Sequence, residues 1–439
     1  MVFPQEESLV YDVRLSSVGP ARSTGTDVFH NPSGLDLAMK LHYLRVVYFF
    51  ESEGAQGLSV MKIKETMFTW FNHYFIACGR FRRSETSGRP YIKCNDCGAR
   101  FIEAKCNKSL DEWLEMKDWP LHKLLVSHQV IGPELQFSPP VLFQVTYFKC
   151  GGVSLGLSWA HVLGDPVCAS EFINSWGRAM SGLGLNKPIN IPRPTPPTTN
   201  GSGKDPVSAK RADPVGDHWI PANNCKMDTF SFHLTSAQMN YLQAQMWGPS
   251  IEQSPPFESL CAVIWRCIAE ARAGSGSGSE PKIVTVCKKD NNKNSSDEML
   301  GNKQVISKVE AESSIIETDL RRLARMLGEE GVDERKEIEE AVNKEEGGSD
   351  MYVYGANLTF VDLEEGDVYG LEVKGHKPKF VYYSIQGVGD EGAVLVLPCP
   401  KPNSIKSNNG SEGRFVTIIL PEDQMGTVIS HLKNNALLL

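Results

Sequence analysis

The sequence predicts an α/β protein of two similarly sized units, on three observations. Strand-like apolar runs alternate with helical patterns along both halves of the chain. A proline segment, Pro188 to Pro197, runs into the polar stretch "TTNGSGKDP" and supplies a crossing between them. The 439 residues, 41% of them hydrophobic, suffice for one large core or two of ordinary size. The expected division is 1–185, a linker over 186–224, and 225–439.

Leu35 to Phe50 reads as the first helix. Its apolar residues recur at three- and four-residue intervals, and Asn31-Pro32-Ser33 offers capping chemistry before it. Val141 to Phe148 and Val153 to Ser158 read as strand-like runs, and the apolar run Phe148 to Leu157, opened by Gly151-Gly152, reads as a buried strand. A helical pattern follows from Cys168 to Met180. Beyond the linker, "MDTFSFHLTSAQMNYLQAQM" reads as a strand, a Thr235 or Ser236 cap, then a helix. Phe257 to Arg272 is a second strong helical pattern. Ala273 to Glu280 and Lys288 to Glu298 are low-complexity loops. Leu327 to Asp350, acidic and poor in apolar residues, reads as a solvated helix or mobile excursion. Val381 to Pro398 and Phe415 to Leu420 restore strand patterns.

Composition excludes several classes. A net charge of −8 argues against general nucleic-acid binding, which needs clustered positive charge. Eleven cysteines lie without framework spacing, and the first residues lack an apolar signal-peptide core. Both imply a reducing, cytosol-facing location. No run approaches 18 uninterrupted apolar residues, so no membrane span of its own is expected and any membrane association is peripheral.

One stretch carries most of the chemistry. Ser158-Trp159-Ala160-His161-Val162-Leu163-Gly164-Asp165 places a histidine and an aspartate four residues apart at a strand end, where α/β folds place their sites. The spacing alone is weak. Histidine suits a general base because its ordinary pKa lies near neutrality, and such assistance is worth about 10² to 10⁴ in rate. A satisfied histidine at a strand end is the competing reading. Trp159 reads as core, and Ser158 as a polar contact in a channel. Cys94-Asn95-Asp96-Cys97 has metal-type spacing but no second pair, so it reads as strand and turn, and no metal site is expected. Gly301 reads as a turn glycine rather than part of a phosphate loop.

Read in order, the neighbours of His161 resemble the BAHD family of plant acyl-CoA-dependent acyltransferases. "LDLAMKLHYLRVVYFF", "MKIKETMFTWFNHYFIACGRF", "IKCNDCGARFIEA", "FQVTYFKCGGVSLGLSWAHVLGD", "FESLCAVIWRCIAEAR", "LGN" (Leu300 to Asn302) and "VTIILPEDQM" match family landmarks in the right order. The resemblance implies two chloramphenicol-acetyltransferase-like domains of mixed sheets flanked by helices, with an inter-domain channel exposing His161. It implies His161 as the base and Asp165 as a structural residue held by a buried ion pair. It also implies acyl-CoA as a substrate with no bound cofactor, and a monomeric fold. Lys288 and Lys289 lie near where family members place basic residues for CoA phosphates, with a solvated loop as the alternative.

The departures matter equally. The family's second signature, Asp-Phe-Gly-Trp-Gly-Lys-Pro, is replaced by Glu372, Val373, Lys374, Gly375 and His376, followed by the retained Lys377 and Pro378. The lost Phe-Gly-Trp core is expected to alter packing there. Pro166 stands where Gly usually follows the motif aspartate, and a turn needing that glycine would shift the loop carrying His161. Together with "RLSSVGPA" and "SDMYVYGANLTFVDL", the combination is most similar to the eceriferum and glossy wax group of the family. That implies an accessory protein of very-long-chain fatty acid elongation for cuticular wax. It would act with a membrane-bound condensing enzyme, a 3-ketoacyl-CoA synthase, at the cytosolic face of the endoplasmic reticulum, with cytosol or nucleus as further locations. An acyl-CoA-dependent O- or N-acyltransferase using His161 is the alternative.

Overall fold

The computed structural model of the chain describes residues 8–184, 205–220, 223–248, 255–275, 279–291, 300–344, 350–400, 413–435 and 437–438. Two large mixed sheets organise them. Numbered in chain order through those two sheets, the strands are β1 (Val10–Val18), β2 (Tyr43–Phe50), β3 (Ala99–Cys106), β4 (Val141–Tyr147), β5 (Val153–Ala160), β6 (Met227–Leu234), β7 (Ile283–Lys288), β8 (Val305–Glu310), β9 (Val332–Asp333), β10 (Leu358–Asp362), β11 (Phe380–Gln386), β12 (Ala393–Pro398) and β13 (Arg414–Pro421). The first sheet runs β1-β3-β4-β5-β2-β11 and the second β6-β13-β12-β10-β7-β8-β9. Parallel pairs, β3 with β4 in the first and β7-β10-β12 in the second, sit among antiparallel ones.

The expected helix over Leu35 to Phe50 is corrected. Only Gly34–Ala38 is helical, with Ser33 and Asp36 forming a reciprocal cap, and Tyr43–Phe50 is β2. Every residue of β2 is buried, because β5 and β11 flank it and both its faces are covered. A strand covered on both faces loses its alternation and mimics a buried helix in sequence. Similarly, the apolar run from Phe148 breaks at a turn where Gly151 has φ +87°, and β5 begins at Val153.

The segment from Leu327 onward is also corrected in part. It contributes to two packed helices, Leu320–Glu329 and Arg335–Lys344, which bury Leu323, Ala324, Met326 and Leu327 from one and Ile338 and Ala341 from the other. Their charged faces had masked a narrow apolar stripe. The helix Pro256–Ser275 lies in the core of the second half, packed on Leu320–Glu329 and on Glu422–Asn434. The proline segment 188–197 and parts of both low-complexity loops lie outside the described residues.

The halves are interlocked. β11 follows β10 in sequence yet completes the first sheet, pairing along β2 from Phe380 opposite Phe49 to Gln386 opposite Tyr43. Lys210–Ala212, from the expected linker, pairs with Asp350–Tyr352. The apolar core under the first sheet continues to Cys287, Phe415 and Ile419 of the second half.

Candidate active site

β5 ends at Ala160, and the chain turns directly into the short 3-10 segment His161–Leu163. Asp165 then caps the helix Pro166–Met180. Gly164 holds φ +153°, and a Cβ there would meet Cys168 Sγ at 2.5 Å. Pro166 occupies the first helical position, where its fixed φ suits the helix and its missing N–H has no intrahelical acceptor to leave unpaired. Pro166 therefore fits the loop instead of displacing it. Trp159, fully buried, donates its Nε1–H to the Gly164 carbonyl at 2.9 Å and ties strand to loop.

Asp165 is buried and accepts three backbone N–H bonds, from Cys168 at 2.9 Å, Lys303 at 2.8 Å and Gln304 at 2.9 Å. Burial raises its pKa above the ordinary carboxylate value, against the downward pull of those donors and of the Lys303 charge. The hydrogen bonds thus come from backbone amides, where the resemblance implied a buried ion pair. Cys168 belongs to the helix that Asp165 caps, and Lys303 and Gln304 directly follow the Leu300-Gly301-Asn302 turn of the second half. Gly301, at φ +131°, is a turn glycine, and its N–H donates to the Leu163 carbonyl at 2.9 Å. Asn302 Nδ2 bridges Asp36 Oδ1 and the His161 carbonyl, 2.9 Å from each. A segment of the second half thereby clamps the loop of the first.

His161 has no exposed surface. Its Nε2 lies 2.9 Å from Tyr354 Oη, and that hydroxyl donates to Gln304 Oε1 at 3.0 Å. Burial lowers the His161 pKa to about 4, so the ring is neutral at pH 7. His42 packs edge-on at 6.3 Å. Its Nδ1–H donates to the Gly387 carbonyl at 2.9 Å, and its Nε2 accepts from Val353 and Tyr354 N–H at 3.0 and 3.1 Å. Burial, with His161 beside it, lowers its pKa to about 3.

Three cavities, of about 540, 500 and 1110 Å³, are lined by other residues; His161 borders none of them. Ser158, expected in a channel, is fully buried opposite Arg45 in the β2–β5 ladder, its Oγ unpartnered. Glu372, Val373, Lys374, Gly375 and His376 form a separate site. They make a two-residue turn in which Val373 and His376 exchange backbone bonds of 2.9 and 3.0 Å, with Lys374 at φ +51° and Gly375 at +84°. The turn borders the 1110 Å³ cavity through Glu372, Gly375 and His376, and Glu51, Asp367 and Lys379 also line it. Lys288 Nζ is paired with Glu258 and lies 5.1 Å from the Phe257 ring, while Lys289 donates to the Glu365 carbonyl. Cys94 and Cys97 are free thiols flanking a turn that Asp96, at φ +55°, anchors to Thr24. No metal-type cluster occurs among the described residues.

Sequence reasoning missed Tyr354, Gln304, Asn302 and His42. Tyr354, Asn302 and His42 lie inside stretches quoted above, yet no spacing pattern joins any of them to His161. They meet it only through the fold.

A sequence profile of the Transferase family matches residues 15–434. The chain belongs to this family, the BAHD acyltransferases. It is 41% identical to "Protein ECERIFERUM 26" of Arabidopsis thaliana over 99% of this chain and 98% of that one. It is 37% identical to "Protein ECERIFERUM 2" of the same plant, over 98% and 99% respectively. Among solved structures, F. graminearum TRI101 complexed with coenzyme A and deoxynivalenol superposes with a TM-score of 0.70, at 14% identity, over 92% of this chain and 97% of that one. The BAHD fold expected from the sequence is thus present, with two mixed sheets and the His161 loop held between their halves.

Proposed function

We propose that this BAHD protein serves cuticular wax biosynthesis as an accessory of very-long-chain fatty acid elongation, working with a membrane-bound condensing enzyme at the cytosolic face of the endoplasmic reticulum. The observation that carries this reading is the sealed His161. A general base must reach the proton it removes, within about 3 Å or through one water. Here the ring is closed off from solvent, its Nε2 is held by Tyr354 and its pKa is lowered to about 4. The near full-length similarity to proteins named ECERIFERUM supports the wax assignment. No helix among the described residues is long and apolar enough to cross a membrane, in keeping with a docked, peripheral role. Acyl-CoA is the ligand class in view, since a protein of the same fold holds coenzyme A.

The test is a chain-length profile from cells expressing a 3-ketoacyl-CoA synthase with and without this protein. Longer acyl products are expected only on co-expression, and His161→Ala is expected to retain most of the effect, with its melting temperature measured in parallel. Acyl transfer to an alcohol or amine by the purified chain, abolished in a folded His161→Ala, would overturn the proposal in favour of an ordinary transferase.

A further inference from the structure

Arg45 is an unusual residue to find in the middle of a covered strand. It is 1% exposed, and no carboxylate pairs with it among the described residues. Its contacts are neutral and few. Nη2 donates to Gln386 Oε1 at 2.6 Å and approaches the Gln129 carbonyl at 3.4 Å, and Nη1 reaches its neighbour's carbonyl on Leu44 at 3.4 Å. Nε has no partner, and the Tyr43 ring lies 5.2 Å from the guanidinium carbon. Burial lowers the Arg45 pKa to about 9, which leaves it charged at neutral pH. A buried cation without an anion is among the most unfavourable arrangements a core can hold.

The guanidinium borders the cavity of about 540 Å³, a size within the range of small-molecule sites. This cavity lies where β2 and β11 of the first sheet meet β6 and the segment 119–128. Arg45 stands between Ser158 of β5 and Ser384 of β11 in one cross-strand row, and Ser384 also borders the cavity. Lys123, exposed to solvent, adds a cation at the rim, while burial beside Arg45 and Lys123 lowers the His128 pKa to about 4 and leaves that ring neutral. Lys226 is bound to Glu422, and Asp228, the acidic lining residue, accepts the Thr229 N–H at 2.7 Å. The remaining wall is largely apolar, including Trp119, Val126, Ile220, Tyr382, Val388 and Ile419.

We propose that this cavity binds a carboxylate-headed apolar molecule of the fatty-acid class, its head group seated on Arg45 and its chain against the apolar wall. A single planar guanidinium matches a carboxylate fork in charge and geometry. A phosphate dianion would call for more cations than the floor supplies. The site meets the His161 network only at Gly387, whose carbonyl accepts from His42, and the proposal stands whether or not the chain assists elongation.

The test is a calorimetric titration of the full chain with palmitate below its micellar concentration. Hexadecanol, acetate and inorganic phosphate serve as comparisons. Saturable palmitate binding is expected, with hexadecanol weaker by about tenfold or more for want of the charged head. Acetate and phosphate should show no binding. Arg45→Gln should weaken palmitate binding about tenfold. Because that residue is buried, Lys123→Glu at the exposed rim provides a second variant, expected to weaken binding about threefold or more without changing the melting temperature. Equal affinity for palmitate and hexadecanol, effective competition by phosphate, or unchanged palmitate affinity in Lys123→Glu and any folded Arg45→Gln would each overturn the proposal.

Discussion

The 161–165 loop keeps both of its marked residues and hides them, whereas the 372–376 turn has exchanged nearly every marked residue and keeps its tip at the surface. In the first region His161 and Asp165 survive, but one is sealed against Tyr354 and the other is spent on backbone amides. In the second, the replaced residues still form a tight turn with two consecutive positive φ angles. Val373 is fully buried, and the turn is seated against Gly177 and Gly54. A Cβ on Gly177 would come within 2.6 Å of the Glu372 carbonyl, so the close approach itself is retained. The lesson is that retained letters report on scaffold as readily as on chemistry, and altered letters can leave a backbone shape intact.

The contrast can be broken most forcefully at Asp165. Asp165→Ala removes a helix cap and strands buried amides of Lys303 and Gln304, with an expected loss of about 4 kcal/mol in denaturant unfolding. A loss below about 1 kcal/mol would show that the clamp matters little. Acidification probes the sealed ring next. His161 titrates near 4 when folded and near 6.5 when unfolded, so the unfolded chain binds more protons between those values and stability falls as pH drops through them. At pH 5 its share is on the order of 2 kcal/mol. Unfolding curves of the wild type and His161→Gln, compared from pH 7 to 5, should differ in slope by that amount, and identical slopes would place the ring in contact with water. The smallest effect lies in the other region. Lys374→Gly relieves a left-handed residue at the turn tip and should stabilise by about 0.5 kcal/mol, read as a slightly higher melting temperature. A destabilisation would mean that the Lys374 contact with the Gln56 carbonyl outweighs the backbone strain.

Much of the fold was legible because its signals are local. The strand before His161, the Thr235 cap and the helix near Phe257 to Arg272 all occur about where propensity and periodicity place them. Tyr43–Phe50 was not legible as a strand, since covering on both faces erases the alternation that marks one. The site divides in the same way. The resemblance implied a structural Asp165, and two of its three amide partners come from residues 303 and 304, a meeting that no local pattern announces. Tyr354 and His42 are opaque for the same reason: each reaches His161 through sheet topology, which sequence spacing does not encode.

β11 has a consequence for how the molecule is made. Until a ribosome has released residue 386, the nascent first sheet ends at β2 with an unpaired hydrogen-bonding edge and eight apolar-rich residues facing water. Vectorial synthesis therefore leaves the early product sticky for most of translation, and a chain cut short before Phe380 would present that edge permanently to chaperones or to other copies of itself.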